Sequence, residues 1–314
     1  MTIRTILVPL FGTDGDKTAL AAAVAVARRF EAHVEALFVA ADPKDSVLVL
    51  GDGMSTLMLD EIMRAAEATR ENRLMVARTH FQAAAAGLPE ATRPVSSWTR
   101  SQGRGCARPA SEGSLDESPS RPDGMTIRWR DCVGRVDPVI AAEGRLFDLV
   151  VIAGTEAGSL ARPTTAITDA YDTALLSTGR PVLVARPAGP MGLGRVMAIA
   201  WSGTLEASRA VAAATPWFAQ AEQVHILTVG ASDMARMGER LASSLAWRGV
   251  EAKMSLIEPG NDSIGAAILR RTAEVGGDLL VMGAYGRNRM REMIWGGVTR
   301  HVLTHPGPMV LMAH

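Results

Sequence analysis

The sequence predicts an α/β fold written twice: two tandem domains, each a five-stranded parallel sheet flanked by helices. Three observations predict it. Short β-branched runs alternate with longer Ala/Arg-rich stretches of helical periodicity, which is the β-α-β pattern of a parallel sheet. The alternation begins again after the linker Arg186-Pro187-Ala188-Gly189-Pro190. The two rounds also share words. Asp148-Leu149-Val150-Val151 answers Asp278-Leu279-Leu280-Val281, and Gly179-Arg180-Pro181-Val182-Leu183-Val184-Ala185 answers Gly307-Pro308-Met309-Val310-Leu311-Met312-Ala313. A period this long means two domains and not a solenoid.

In the first round, Thr5–Leu10 (TILVPL) reads as a buried strand, Lys17–Phe30 as a helix and His33–Val39 as a second strand. A long helix is expected over Thr56–Ala86, where Leu59, Ile62, Met63 and Ala66 recur at helical spacing. Thr126–Val133 reads as a third strand, Val136–Leu146 as a helix and Leu149–Ala153 as a fourth strand. A short helix near Asp169–Ser177 and the strand Pro181–Ala185 complete the set. Between the long helix and the third strand, Ser96–Asp123 is rich in Ser, Arg, Gly and Pro. It lacks the apolar surface that would offset its ordering entropy, so it reads as a mobile insert.

The second round runs in the same order. Arg195–Ala200 is a strand, Leu205–Ala219 a helix, Gln223–Val229 a strand and Met234–Trp247 a helix. Glu251–Leu256, Asp262–Val275, Leu279–Gly283, Gly297–Thr304 and Pro308–Ala313 follow as strand, helix, strand, helix and strand. The expected domains are therefore 1–187, with the insert 96–123, and 194–314.

Composition narrows the function. At 314 residues, 47% hydrophobic and 21% charged, the chain can bury a sizeable core. Its 33 basic and 33 acidic residues cancel, so no global field holds nucleic acid or an anionic membrane. Two cysteines are too few for a disulfide framework or a Cys-rich metal site. The longest fully apolar run, Ala19–Ala27, is too short to span a bilayer, and Met1-Thr2-Ile3-Arg4 lacks the shape of a signal peptide. A cytoplasmic, soluble protein is the expectation.

One constellation carries chemistry. Gly283-Ala284-Tyr285-Gly286 follows a buried strand, nine residues intervene, and Gly296-Gly297-Val298-Thr299 opens the last helix. In an open parallel sheet, ligands bind beyond the carboxyl ends of the strands. Unpaired N–H groups and the dipole of a helix N-terminus there favour an anion such as phosphate. Glycines let the backbone come close to it. Arg287, Arg289 and Arg291 either add positive charge beside the loop or form a solvated face.

These residues in this setting resemble the universal stress protein family in its tandem two-domain form. ATP-binding members carry Gly-x2-Gly-x9-Gly-Ser/Thr at this position. The resemblance spans the chain apart from Ser96–Asp123. It implies two adenine nucleotide alpha hydrolase-like, Rossmann-like domains with strand order 3-2-1-4-5. It also implies an intrachain pseudo-dimer in which Val182–Ala185 pairs with Met309–Met312, with a homodimer also open. The implied function is non-enzymatic stress regulation or protection through protein contacts. ATP or another adenine nucleotide would be held by Met282, Gly283, Gly286, Gly296, Gly297, Val298 and Thr299, with Ser202 beneath the base or ribose.

The sequence departs from that pattern in several places. Gly297 stands where ATP binders have Ser or Thr. Trp201-Ser202-Gly203-Thr204 and Leu10-Phe11-Gly12-Thr13 stand where the family's first strand ends in Asp-Gly-Ser. In the first copy, Ala153, Glu156 and either Asp169 or Ala166 replace the three glycines. A carboxylate repels a triphosphate, so the first domain is expected to bind no nucleotide and to serve as a platform.

Two other readings stand beside this one: an interaction module with no nucleotide, and a weak ATP-cleaving enzyme. Ser202-Gly203-Thr204-Leu205-Glu206-Ala207-Ser208 is faintly similar to the pyrophosphate loop of ATP pyrophosphatases but lacks its second glycine and its Asp. No P-loop lysine, Gly-x-Ser-x-Gly elbow or His-Glu-x-x-His is present, and no residue is assigned as catalytic. His301 and His305 share a helical face without further ligands, so no metal site is expected. His225 reads as packed in its strand, and Trp201, Trp217 and Trp247 as core or interface residues.

Overall fold

The computed structural model describes residues 2–40, 56–86, 88, 124–154, 165–187, 193–258, 260–286 and 297–314. The insert read over 96–123 lies outside these described residues. The chain forms two compact units, one holding Arg4–Val151 and the other Ala174–His314.

The N-terminal unit runs β1 (Thr5–Leu10), α1 (Gly15–Phe30), β2 (His33–Ala40), α2 (Thr56–Ala86), β3 (Thr126–Val133), α3 (Val136–Gly144) and β4 (Leu149–Ala153). Its strands lie in the order β3-β2-β1-β4 and pair in parallel, β1 with β2 from Thr5↔His33 to Leu10↔Phe38. β1 is buried almost throughout, as a continuous apolar run in a doubly covered sheet should be. The long helix α2 docks through Ala77, Phe81 and Ala85, which recur every four residues and are buried. Phe81 meets Trp129 of β3 with ring centroids 5.5 Å apart, and Trp129 in turn stacks on Phe38.

After α4 (Thr165–Ser177) comes β5 (Val182–Ala185). The C-terminal unit continues with β6 (Val196–Ala200), α5 (Leu205–Ala213), α6 (Thr215–Phe218), β7 (Gln223–Val229) and α7 (Ser232–Ala246). It ends with β8 (Ala252–Ile257), α8 (Ile264–Glu274), β9 (Leu279–Gly283), α9 (Gly297–Thr304) and β10 (Met309–Ala313). Its strand order is β5-β10-β9-β6-β7-β8. Within the second repeat this is 3-2-1-4-5, the order the family resemblance implies. The first four strands of the first repeat follow the same order.

The strand count per unit differs from the expected five. β5 completes the first sequence repeat, yet it lies in the C-terminal unit, where it runs antiparallel to β10 with Leu183 opposite Leu311 and Val182 opposite Met312. This is the pairing of fifth strands that the resemblance implies. Both runs are fully apolar and buried, and each covers what would otherwise be an exposed edge.

The repeated word Asp-Leu has a structural cause. At the foot of β4, the Asp148 carboxylate accepts from the backbone N–H groups of Arg4 (2.9 Å) and Thr5 (3.0 Å). At the foot of β9, Asp278 accepts from Gly194 (2.7 Å), Arg195 (3.0 Å) and Val196 (3.3 Å). In each repeat one carboxylate ties the entry of the first strand to the fourth.

The single helix expected over Leu205–Ala219 is broken into α5 and α6. Pro216 supplies no N–H, and its ring crowds the preceding turn, so the chain restarts at Thr215. The helix expected from Asp262 begins instead at Ile264, because the Ser263 hydroxyl caps it by accepting from Ala266 N–H at 3.2 Å.

Candidate functional site

Strand register brings three chain segments together at the carboxyl edge of the C-terminal sheet. β6 pairs with β9 so that Ala200 faces Met282, and β10 pairs with β9 so that Ala313 faces Gly283. Ser202, Gly283 and His314 therefore converge just beyond the strand ends, the place where open α/β sheets bind ligands.

Ser202 is exposed, with its hydroxyl 3.2 Å from that of Thr204. Thr204 caps α5, its hydroxyl accepting from Ala207 N–H at 3.3 Å. Met282 is buried in β9, so its side chain belongs to the core. Gly283 has a packing reason of its own. A Cβ there would sit 2.5 Å from Ala207 N and 2.7 Å from the Glu206 carbonyl carbon, so glycine is what allows the first turn of α5 to press against β9. Gly286 and Gly297 differ: among the described residues, an added Cβ at either meets nothing within 4 Å. No described residue packs closely enough to require glycine at these two positions. Gly297 opens α9 and is exposed, Val298 is half-buried and Thr299 is buried. Gly296, Arg287, Arg289 and Arg291 lie outside the described residues, as does Glu156.

Three residues beyond those singled out from sequence shape this edge. Tyr285 holds φ at 54°, a left-handed conformation uncommon for a bulky side chain. Its ring meets that of His314 edge-on at 6.2 Å, and His314 Nδ1 lies 3.0 Å from the Ala284 carbonyl oxygen. Glu206, in the first turn of α5, is buried. Its own backbone N–H holds its carboxyl below the usual range, against the opposing effect of burial, and the Thr204 hydroxyl and His314 act in the same direction as that N–H. At the opposite end of α9 lies Arg186. Buried after β5, it donates to the carbonyls of Val302 and His305 at the C-terminal end of α9. A cation there complements the helix dipole, whose positive end points at the candidate site. Sequence reading placed Arg186 in a linker, since nothing local signals a contact 116 residues away. The Glu206 position carried a clearer signal, an acidic residue two places after a helix cap.

The remaining candidates fall as follows. His301 and His305 stack at 3.7 Å, and among the described residues no three His, Cys, Asp or Glu side chains group to hold a metal ion. His225 is buried in β7, with Nε2 3.3 Å from Gln223 Oε1. Trp217 is fully buried, whereas Trp247 is 93% exposed. Among the described residues no helix is long and apolar enough to cross a membrane.

The sequence matches no family profile and no curated protein. Solved structures do match. A universal stress protein from Archaeoglobus fulgidus DSM 4304 covers 98% of this chain and 97% of its own, at 14% identity and a TM-score of 0.62. The fold is the tandem universal stress protein fold. A functionally unknown protein from Pseudomonas aeruginosa PAO1 shares it over 99% of this chain and 92% of its own, at 15% identity and a TM-score of 0.55. A Pseudomonas aeruginosa UCBPP-PA14 protein, provisionally described as a universal stress protein, does so at 15% identity and a TM-score of 0.55, covering 99% of this chain and 93% of its own. At such identities the likeness is one of fold, and function rests on the site itself.

Proposed function

We propose that the chain is a tandem universal stress protein that works without catalysis, as a cytoplasmic sensor or protective partner of other proteins, and that its C-terminal domain holds ATP or another adenine nucleotide. The domains in this reading are 1–187 and 194–314, following the sequence repeat. Ser202, Gly283, Gly286, Gly296, Gly297, Val298 and Thr299 form the site, and Met282 supports it from the core.

The carrying observation is that no described residue crowds Gly286 or Gly297, the glycines on either side of the segment between β9 and α9. Packing among the described residues does not call for glycine there, whereas close approach of a phosphate chain does. The balanced net charge supports a small local ligand in preference to nucleic acid or a membrane surface. Denaturing the purified protein and identifying any nucleotide released tests this reading. So does a thermal melt with millimolar ATP, since a ligand that binds only the folded state raises its stability. An upward shift that disappears in Gly286→Glu is the expected result. No released nucleotide and no shift would overturn it.

A second reading, an interaction module with no nucleotide, is favoured by Glu206. A buried carboxylate beside Gly283 opposes a triphosphate at close range. It predicts unchanged melting with every nucleotide tested.

A further inference from the structure

The C-terminal unit carries a second concavity that the nucleotide reading does not use. Between α5 and α7 lies a cavity of about 410 Å³, within the ordinary range for small-molecule sites. Its floor is apolar and buried: Val211, Leu241 and Leu245. Trp201 and Met237 line it and are half-buried. The facing positions are small, Ser208 and Ala212 on α5 against Ser244 on α7, which leaves space where larger side chains would close the helix–helix contact.

The charge on this groove is one-sided. Arg240 and Arg248 lie on its exposed rim, and among the described residues no Asp or Glu lines it. One turn earlier on α7, Arg236 is tied to Asp233, whereas neither rim arginine has a carboxylate partner among the described residues. Arg248 reaches only the Thr215 hydroxyl, at 3.5 Å. Trp201 adds a donor. Its backbone is fixed to Leu227 at 2.8 Å, and its indole Nε1–H is buried with no acceptor among the described residues. Unsatisfied buried donors are uncommon, and a ligand acceptor is one way to satisfy them.

We infer that this groove binds a small amphipathic monoanion: a flat, largely apolar body on the Val211/Leu241/Leu245 floor, with its anionic head at the Arg240/Arg248 rim. A flat body suits the walls, since an indole stacks on rings and a thioether favours contact with them. The anionic head follows from two cations facing no carboxylate.

The probe is 8-anilinonaphthalene-1-sulfonate, whose fluorescence rises in an apolar site, with N-phenyl-1-naphthylamine as its uncharged counterpart. The folded protein binds the sulfonate saturably at one site. Ala212→Trp, at an exposed position facing the cavity, abolishes that binding without lowering the melting midpoint. Arg240→Gln with Arg248→Gln weakens the sulfonate about tenfold and leaves the neutral amine within about twofold. ATP does not displace the probe. The inference is overturned by unsaturable binding, by binding that survives Ala212→Trp, by equal affinity in the double arginine variant, or by displacement with ATP. That last result would make the groove part of the nucleotide site.

Discussion

The turn after β1 and the turn after β6 are copies of one another, each placing a left-handed glycine between a strand and a helix, at φ of 69° for Gly12 and 70° for Gly203. Their surroundings are opposite. At Gly12 an added Cβ would lie 2.4 Å from the Arg73 carbonyl oxygen and 2.6 Å from its Cα, so the main chain of α2 bears directly on the turn. At Gly203 it would meet the terminal methyl of Met237 at 1.8 Å, the free end of a flexible side chain. The first turn is also closed from within. The buried Asp16 carboxylate, pushed above the usual range by burial, accepts from the N–H groups of Phe11 (3.1 Å) and Gly12 (2.8 Å). These two N–H groups are thereby occupied by the chain itself. The second turn spends only Thr204 on its helix cap and leaves the Ser202 hydroxyl exposed. A duplicated fold can keep its topology in both copies while the same turn is packed against a helix backbone in one and against a flexible side chain in the other.

The largest expected effect would break this comparison outright. Gly12→Ala pushes a side chain into the backbone of α2 at a left-handed φ and should cost about 3–5 kcal/mol. Gly203→Ala displaces only a methionine tip and should cost about 1–2 kcal/mol. Urea denaturation of both variants decides the matter, and equal losses would remove the distinction. Next comes Arg186→Met, which takes a buried cation from two carbonyls at the end of α9 and should cost about 2–4 kcal/mol. Slowed hydrogen exchange along α9 in the parent, lost in the variant, is its signature. Asp16→Ala strips the acceptor from Phe11 and Gly12 and should cost about 1–3 kcal/mol. If the first turn is closed by α2 as well, this variant still gains no response to ATP.

The smallest effect is on pH dependence, and it samples both units. His33 in the N-terminal unit and His225 and His301 in the C-terminal unit are each held below the ordinary 6.5, burial being the main cause. Arg128 acts on His33, Lys253 and Arg271 on His225, and His305 on His301 in the same direction. A depressed folded value means that the unfolded chain protonates first. Stability is thus full above about 6.5, falls as pH drops through that value, and levels off below the folded values. His33→Asn and His225→Gln should each flatten the slope of melting midpoint between pH 7.5 and 5.5. A midpoint that rises on acidification over that window would contradict the assignment.

Much of the fold could be read directly, because burial on both faces makes a parallel strand a continuous apolar run. Leu149–Ala153 and Leu279–Gly283 stand out for that reason, and the helices between them by period. The candidate loop was legible in part: its glycines could be seen, but the reason for each could not. Gly283 serves helix packing, and no described residue crowds Gly286 or Gly297, a distinction that depends on atoms from α5 and from no neighbour in sequence. Glu206 and His314 were passed over for the same reason, since their proximity exists only once β6, β9 and β10 are aligned.

The sequence by itself determined the architecture: an α/β unit repeated, its strands and most helix limits, and the glycine loop kept in one copy. Those features are encoded in local period and in words that recur. Tertiary structure decided what packs on each turn, which strand completes which sheet, and that Arg186 caps a helix far along the chain. Such properties belong to contacts between segments distant in sequence, where the identity of one residue says little until the partner that meets it is in place.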